Sequence, residues 1–305
     1  MIAGDGIVLR GTGGVWVVRG DDGVEREAAL RGRLKQDNAV KLAVGDRVHV
    51  EPGERGGWAI AAIHPRTSSL VRRAPGTRVG ERVVAANVDQ VVVVFAMVKP
   101  EPHVRMLDRF LTIAESNALA ARIVVNKVDL ASEDAAREKF GAYERAGYPL
   151  HFTSTKAPRG LDALRAALHG QTSAVAGPSG VGKSSLLNAL YPGLSLRVGE
   201  ISESVNKGRH TTVGAYLHPL PDGGYVVDTP GLREVGMWGI PSADVDRCFP
   251  ELRALRDDCR FADCTHRAEP DCAVRSAVDA GAIDADRYDS YLKLREELEA
   301  AERVW

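Results

Sequence analysis

Gly177-Pro178-Ser179-Gly180-Val181-Gly182-Lys183-Ser184, followed by Ser185, decides how the rest of the chain is read. It is a G-x-x-x-x-G-K-S phosphate loop between the apolar run Ala174-Val175-Ala176 and the helical stretch Ser185-Leu186-Leu187-Asn188-Ala189-Leu190. Strand, glycine loop, helix is the context the motif requires. The glycines let backbone N–H groups wrap a triphosphate at the positive end of the following helix. Lys183 is expected to reach the β- and γ-phosphates, and Ser184 to place its hydroxyl on a Mg²⁺ that bridges them. The alternative is a glycine-rich turn of this pattern by chance, and the correct flanks on both sides weigh against it.

Two further strand ends complete the constellation. Asn126-Lys127-Val128-Asp129 follows Arg122-Ile123-Val124-Val125, at the carboxyl end of a buried strand, where open α/β sheets bind ligands. A carboxylate at Asp129 accepts from both the ring N–H and the exocyclic amine of guanine, a donor pair adenine lacks. The Asn126 amide can hold the other edge of the base and the Lys127 stem can lie over its face. Alone the tetrapeptide is a common solvated turn; beside a phosphate loop it is a guanine reader. Downstream, Tyr225-Val226-Val227 leads into Asp228-Thr229-Pro230-Gly231, where Asp228 would hold the Mg²⁺ water shell and the Gly231 N–H would face the γ-phosphate. Thr153-Ser154-Thr155-Lys156, after another strand, either backs the base with a main-chain N–H or is ordinary loop.

Base reader, phosphate loop, Asp-Thr-Pro-Gly is a circularly permuted order, since most GTPases carry the phosphate loop first. Neighbouring parallel strands still make one site in space. The segments that would sense the γ-phosphate, Gly208-Arg209-His210-Thr211-Thr212 and the loop after Gly231, then run straight toward the C-terminus. Leu232 stands where many GTPases place a water-orienting glutamine, and it has no hydrogen-bonding group. His210, beside Thr211 and Thr212, is the candidate in cis for that task, because imidazole accepts or donates near neutrality. The alternative is that His210 packs or contacts RNA.

At 305 residues the chain has room for two or three domains, and 44% hydrophobic residues with a net charge of −1 give no global field toward nucleic acid. The N-terminus lacks the blocks of a signal peptide and no apolar run reaches the roughly 20 residues of a membrane helix, so a cytoplasmic protein is expected. Residues 5–66 alternate apolar and polar in about five short runs between Gly/Asp/Pro turns, which suggests a small closed barrel, OB-like or SH3-like. Trp16 and Trp58 either stack on bases or fill its core; Arg31, Arg33, Lys35 and Lys41 either track a backbone or solvate a loop. Residues 66–82, with Arg72-Arg73-Ala74-Pro75-Gly76, form a charged connector. From Val91-Val92-Val93-Val94-Phe95-Ala96 onward strands alternate with helices (104–118, 132–146, 161–168), which argues a doubly wound, mostly parallel sheet.

The last stretch carries Cys259, Cys264, His266 and Cys272 in a C-x-x-x-x-C-x-H-x-x-x-x-x-C pattern. Three thiolates and an imidazole suit tetrahedral Zn²⁺, with redox thiols as the alternative. Cys248 lies outside and reads as a small core residue. A helix over 285–303 packs onto the metal module, with Lys293/Glu297 and Glu299/Arg303 as four-apart pairs. Arg253, Arg256, Arg260 and Arg267 could contact rRNA phosphates.

Barrel, N-K-V-D, G-P-S-G-V-G-K-S-S, G-R-H-T-T, D-T-P-G and this cysteine spacing together resemble the RsgA (YjeQ) family of circularly permuted, small-subunit biogenesis GTPases over nearly the whole chain. The resemblance implies a multidomain α/β architecture: an OB-fold (1–70), a P-loop GTPase domain (71–242) and a C-terminal zinc module (243–305). It implies rRNA docking, slow GTP hydrolysis stimulated by the small ribosomal subunit, and action late in its maturation, as a monomer. The arm before the barrel is very short, so a basic tail there is missing. A GTP-gated binder with incidental hydrolysis is the nearest rival; a P-loop kinase fails on Asn126 to Asp129.

Overall fold

The computed structural model describes residues 3–32, 34, 41–53, 56–73, 81–194, 196, 215–228 and 240–303. Arg33, Lys35, Ala74, Pro75, Gly76, the 208–212 segment with His210, Thr211 and Thr212, and residues 229–232 with Gly231 lie outside the described residues.

Five strands, β1 (Gly4–Thr12), β2 (Val15–Gly20), β3 (Glu25–Leu30), β4 (Arg47–Pro52) and β5 (Trp58–Ile63), close a barrel in the order β1-β2-β3-β5-β4. Only the β3–β5 pairing is parallel. Alternation fills the inside with Val8, Val18, Ala28, Val48, Val50 and Ile60. Ile7 and Leu9, on the other face of β1, are buried in the core of the next domain, which is why Ile7-Val8-Leu9 is apolar without a break. Trp16 and Trp58 are half-buried against the barrel core, and the Arg26 guanidinium lies 4.7 Å over the Trp58 ring. Both tryptophans thus pack on the barrel core with one side.

The expected connector is instead an antiparallel ribbon of β6 (Ser69–Arg73) and β7 (Glu81–Ala86). Its apolar positions explain the difference: Leu70, Ala85 and Ala86 are buried, and the Ala86 N–H donates to the Val44 carbonyl of the barrel (2.8 Å). The ribbon is a seam between two domains.

The main sheet has the order β10-β9-β8-β11-β13-β12, formed by β8 (Gln90–Ala96), β9 (Ala120–Asn126), β10 (Leu150–Phe152), β11 (Thr172–Ala176), β12 (Tyr216–Pro219) and β13 (Tyr225–Asp228). All neighbours are parallel except β12 with β13. Every residue of β8 and β11 is buried, as strands covered on both faces must be. Val91, Val93 and Phe95 pack on α1 (Val104–Ser116) and α2 (Glu133–Arg145); Val92, Val94 and Ala96 pack on α3 (Leu161–Leu168) and α4 (Lys183–Leu190). Ser132 caps α2 by accepting from the Ala135 N–H. The result is the doubly wound sheet that the alternation predicts.

The C-terminal module holds α5 (Pro250–Arg253), α6 (Ala273–Asp279) and α7 (Ala285–Glu302) around Val245, Phe249, Leu252, Val274, Tyr291, Leu294 and Leu298. The ion pairs of α7 keep the four-residue spacing within the helix but join other partners than expected. Lys293 pairs with Asp289, Arg295 with Glu299, and Glu297 reaches Arg109 on α1, because α7 lies against α1 and its charges find partners there.

Arg287 fastens this module to the sheet domain. Its side chain, 3% exposed, bonds Asp108 of α1 and forks onto Glu251 through Nε (2.7 Å) and Nη2 (3.1 Å), with its guanidinium 4.5 Å from the Phe249 ring. The Tyr143 hydroxyl donates to the same Asp108 oxygen (2.8 Å). Burial alone would push the guanidinium down, but Asp108 and Glu251 outweigh it and hold it above its ordinary value. Arg287→Ala leaves two carboxylates without their cation and is expected to lower unfolding free energy by about 3–5 kcal/mol. Urea denaturation measures this; a loss under about 1 kcal/mol would show that packing alone holds the modules together.

Candidate nucleotide and metal sites

The ends of β8, β9 and β11 bring the phosphate loop and the base reader side by side. Gly177 begins the loop at φ +133°, so close to β8 that a Cβ there would lie 2.1 Å from the Val94 carbonyl oxygen. Gly182 closes it at φ +95°, where a Cβ would lie 2.7 Å from the Asn126 amide nitrogen. Both positions therefore exclude larger residues for steric as well as conformational reasons. Val181 is buried under the loop, Ser179 and Gly180 are exposed, and Lys183 and Ser184 are buried in the first turn of α4, with Ser185 behind them. The Lys183 ammonium donates to the carbonyls of Gly177 (2.7 Å) and Pro178 (2.6 Å). It thus folds over the concave side of its own loop.

Asn126, 2% exposed, joins the two motifs: its Nδ2 donates to the Val181 carbonyl (3.0 Å) and its Oδ1 accepts from the Thr153 hydroxyl (3.2 Å). The amide that the sequence offers to the base edge is engaged here as a strut between base reader and phosphate loop. Lys127 turns the chain sharply after β9 at φ 60° and stretches its ammonium to the carbonyls of Gly180 (2.7 Å) and Lys99. Val128 is buried as an anchor, whereas Asp129 is exposed.

The Asp129 carboxylate is oriented by Ser154, whose hydroxyl donates to Oδ1 (2.6 Å) and accepts from the Ala157 N–H (3.1 Å). The main-chain N–H of Ser154 itself bonds the Arg159 carbonyl (3.2 Å). Of the Thr153-to-Lys156 stretch, then, Thr153 and Ser154 bear on the base reader through their hydroxyls, and the Thr153 carbonyl also accepts from the Val128 N–H (3.2 Å), none of which the loop-like sequence gives a means of telling. Of Asp228, the backbone end of β13 beside β11 is described.

The second cluster gathers Cys259, Cys264, His266 and Cys272, whose ligand atoms all lie within 4.8 Å of one another. His266 Nδ1 faces the sulfurs of Cys272 (3.4 Å) and Cys259 (3.6 Å), which makes Nδ1 the ligating nitrogen. Burial pushes the Cys264 thiol up to about 12, so holding it as a thiolate in this pocket requires a cation. The set is closed, with four donors of the types zinc takes in structural sites. Cys272 also caps α6, its sulfur accepting from the Arg275 N–H (3.5 Å).

Asp246 completes the cluster from a distance in sequence that conceals it. Its buried carboxylate lies 3.6 Å from His266 Nε2, an otherwise partnerless buried nitrogen, and 2.7 Å from Arg256 Nε. Burial raises the Asp246 carboxyl, but His266 and Arg256 outweigh it and hold it below its ordinary value. A carboxylate behind the ligating imidazole fixes the Nδ1-ligating tautomer. The hydroxyls of Tyr288 and Tyr291 on α7 donate to the carbonyls of His266 and Thr265, which seats the helix on the cluster.

Of the basic residues expected to face RNA phosphates, five form ion pairs within the molecule. Arg253 pairs with Glu115, Arg256 with Asp246, Arg260 with Asp271 and Arg267 with Glu299; Arg31 pairs with Glu51 in the barrel.

Zinc removal by chelation, or Cys264→Ser, is expected to unfold the C-terminal module, since such ions contribute on the order of 10 kcal/mol to small zinc modules. Nucleotide affinity is expected to stay within a few-fold. Asp246→Asn is expected to weaken metal affinity about tenfold or more, read by chelator competition. Purified protein without bound metal, or a Cys264→Ser melting curve like the parent's, would contradict the assignment.

The RsgA GTPase family model matches residues 63–238. A small ribosomal subunit biogenesis GTPase RsgA from Gemmatimonas aurantiaca is 59% identical, covering 96% of this chain and 97% of its own. The protein of that name from Moorella thermoacetica is 43% identical over 98% of this chain and 99% of its own. Among solved structures, YjeQ from Thermotoga maritima superposes with a TM-score of 0.81 at 36% identity, covering 97% of this chain and 99% of that one. YloQ, described as a circularly permuted GTPase, gives 0.78 at 28% identity, with 98% of this chain and 96% of that one covered. Permuted motif order, strand-end geometry and these matches lead to one conclusion: the chain belongs to the RsgA GTPase family.

Proposed function

We propose that the chain hydrolyses GTP to GDP and phosphate on the small ribosomal subunit, late in that particle's maturation, with turnover slow alone and stimulated by the subunit. The observation that carries the nucleotide reading is the exposed Asp129 carboxylate, aimed by Ser154 and tied through Asn126 to the phosphate loop. The relatives' names carry the ribosomal reading. Contact with rRNA, a monomeric state and a cytoplasmic location belong to the same proposal; no described helix is long and apolar enough to cross a membrane.

Asp129 accepts the two guanine donors, the Lys127 stem covers the base, and Asn126 with Val128 holds both in place. In the loop that Gly177 and Pro178 open, the backbone N–H groups from Ser179, Gly180, Val181 and Gly182 to Ser185 would face the phosphates. Lys183 exchanges the Gly177 and Pro178 carbonyls for phosphate oxygens, so its charge is already inside the loop when the substrate arrives. Ser184 and Asp228 would hold Mg²⁺, which neutralises phosphate charge when bound. Gly231, Thr211 and Thr212 would close over the γ-phosphate, and His210 would orient the attacking water. Cys259, Cys264, His266 and Cys272 would hold a structural Zn²⁺.

Asp129→Asn removes charge-assisted hydrogen bonds worth about 3 kcal/mol together, so GTP affinity is expected to fall on the order of a hundredfold in titration calorimetry. Equal GTP and ATP affinity in the parent would refute guanine reading. His210→Ala is expected to abolish most of the subunit-stimulated phosphate release, while GTP affinity and subunit binding change by less than a few-fold. Full stimulation of that variant would assign the water-positioning group to the ribosome. Multiple-turnover phosphate release with and without subunits separates this catalyst from a GTP-gated binder.

A further inference from the structure

Phe261 is 39% exposed and is the only exposed aromatic side chain among the described residues. It opens a tight turn, Phe261-Ala262-Asp263-Cys264, closed by the Cys264 N–H donating to the Phe261 carbonyl (3.2 Å). Cys259 and Cys264 bracket the segment, and both belong to the four-donor cluster. An apolar ring is thus held outward on a backbone pinned at both ends, an arrangement that costs little ordering entropy when a partner covers it.

The charges around the ring select the partner. Asp257, Asp258 and Asp263 are exposed and have no ion-pair partner among the described residues. Asp271, also exposed, pairs across the turn with Arg260 (3.0 Å), whose guanidinium lies 5.5 Å from the Phe261 ring. The arginines of this stretch, Arg253, Arg256, Arg260 and Arg267, are each already paired with a carboxylate, so the uncompensated charge beside Phe261 in the chain, on Asp257, Asp258 and Asp263, is negative. Such a charge repels a phosphate backbone. It attracts lysine and arginine, and an aromatic side chain inside a charged rim is the usual anchor of a protein interface.

We propose that this tip docks on a protein of the small ribosomal subunit, Phe261 entering an apolar pocket and Asp257, Asp258 and Asp263 meeting basic residues at its edge. The inference rests on the reading that the small subunit is the partner. The test places a photo-crosslinking phenylalanine analogue at position 261 of the full chain, bound to purified small subunits with a non-hydrolysable GTP analogue, and identifies the crosslinked species. A protein crosslink is expected. In parallel, Phe261→Ala and the triple variant Asp257→Lys, Asp258→Lys, Asp263→Lys are each expected to weaken subunit binding about tenfold, with zinc content, melting and basal GTPase rate unchanged. Crosslinking to RNA, tighter binding of the lysine variant, or parent-like affinity of both variants overturns the proposal while leaving the subunit as partner. A parent that fails to bind subunits at all overturns both readings.

Discussion

The site depends on β8 being paired in parallel along both edges, with β9 on one side and β11 on the other. That pairing fixes the distance between two loops that are remote in sequence, because parallel strands end at the same side of a sheet. Val94 of β8 presses on Gly177, and Asn126 at the end of β9 bonds Val181 within the phosphate loop. The base reader and phosphate cradle are therefore one rigid unit before any nucleotide arrives. Circular permutation leaves this untouched, since no chain connection takes part in it.

A second constraint is the buried charge at Arg287. A buried ion pair is weak evidence for stability in itself, because desolvation consumes much of the attraction. What it supplies here is geometry: one guanidinium must satisfy Asp108 of α1 and Glu251 of the C-terminal module at the same time, while Phe249 and Tyr143 bracket it. Sliding either module would strand a charge in an apolar environment. The metal cluster, reached from the same helix through Tyr288 and Tyr291, is thereby held at a set position relative to the sheet.

These couplings mark the boundary of what the sequence discloses. Motifs at strand ends are legible because their chemistry needs fixed residue types at fixed spacing next to an apolar run; hence Asp129 and Lys183 stand out by reading alone, as does the cysteine and histidine spacing that the fold gathers into one cluster. Ser154, Asp246 and Arg287 are not, since each acts on a group far away in the chain and none stands in a spacing that announces a partner. The partners of the arginines near the cysteines are hidden for the same reason. Four of these arginines look like a basic patch in the sequence, yet Glu115, Asp246, Asp271 and Glu299 converge on them from other elements. The 66–82 connector also hid the ribbon it begins, because charges at its centre mask the buried Leu70, while Ala85 and Ala86 lie just beyond it.

Permutation acquires its meaning from what flanks the nucleotide site. The strand that follows the 208–212 segment is β12, an edge strand whose outer side packs on β1 of the barrel. Arg10 of β1 lies 5.5 Å from the Tyr216 ring, and Leu217 shares a core with Ile7 and Leu9. On the other side, the chain that leaves β13 through Asp-Thr-Pro-Gly re-enters the described structure at Ile240, and Ser242 is immediately bonded to Glu302 at the end of α7. In the usual motif order the corresponding segments lead back into the nucleotide domain itself. Here the first enters an edge strand that packs on the barrel, and the second leads into the C-terminal module. The permuted order thus sets a barrel and a C-terminal module next along the chain from these two segments, and both pack on the sheet domain, through Ile7 and Leu9 on one side and through Arg287 on the other.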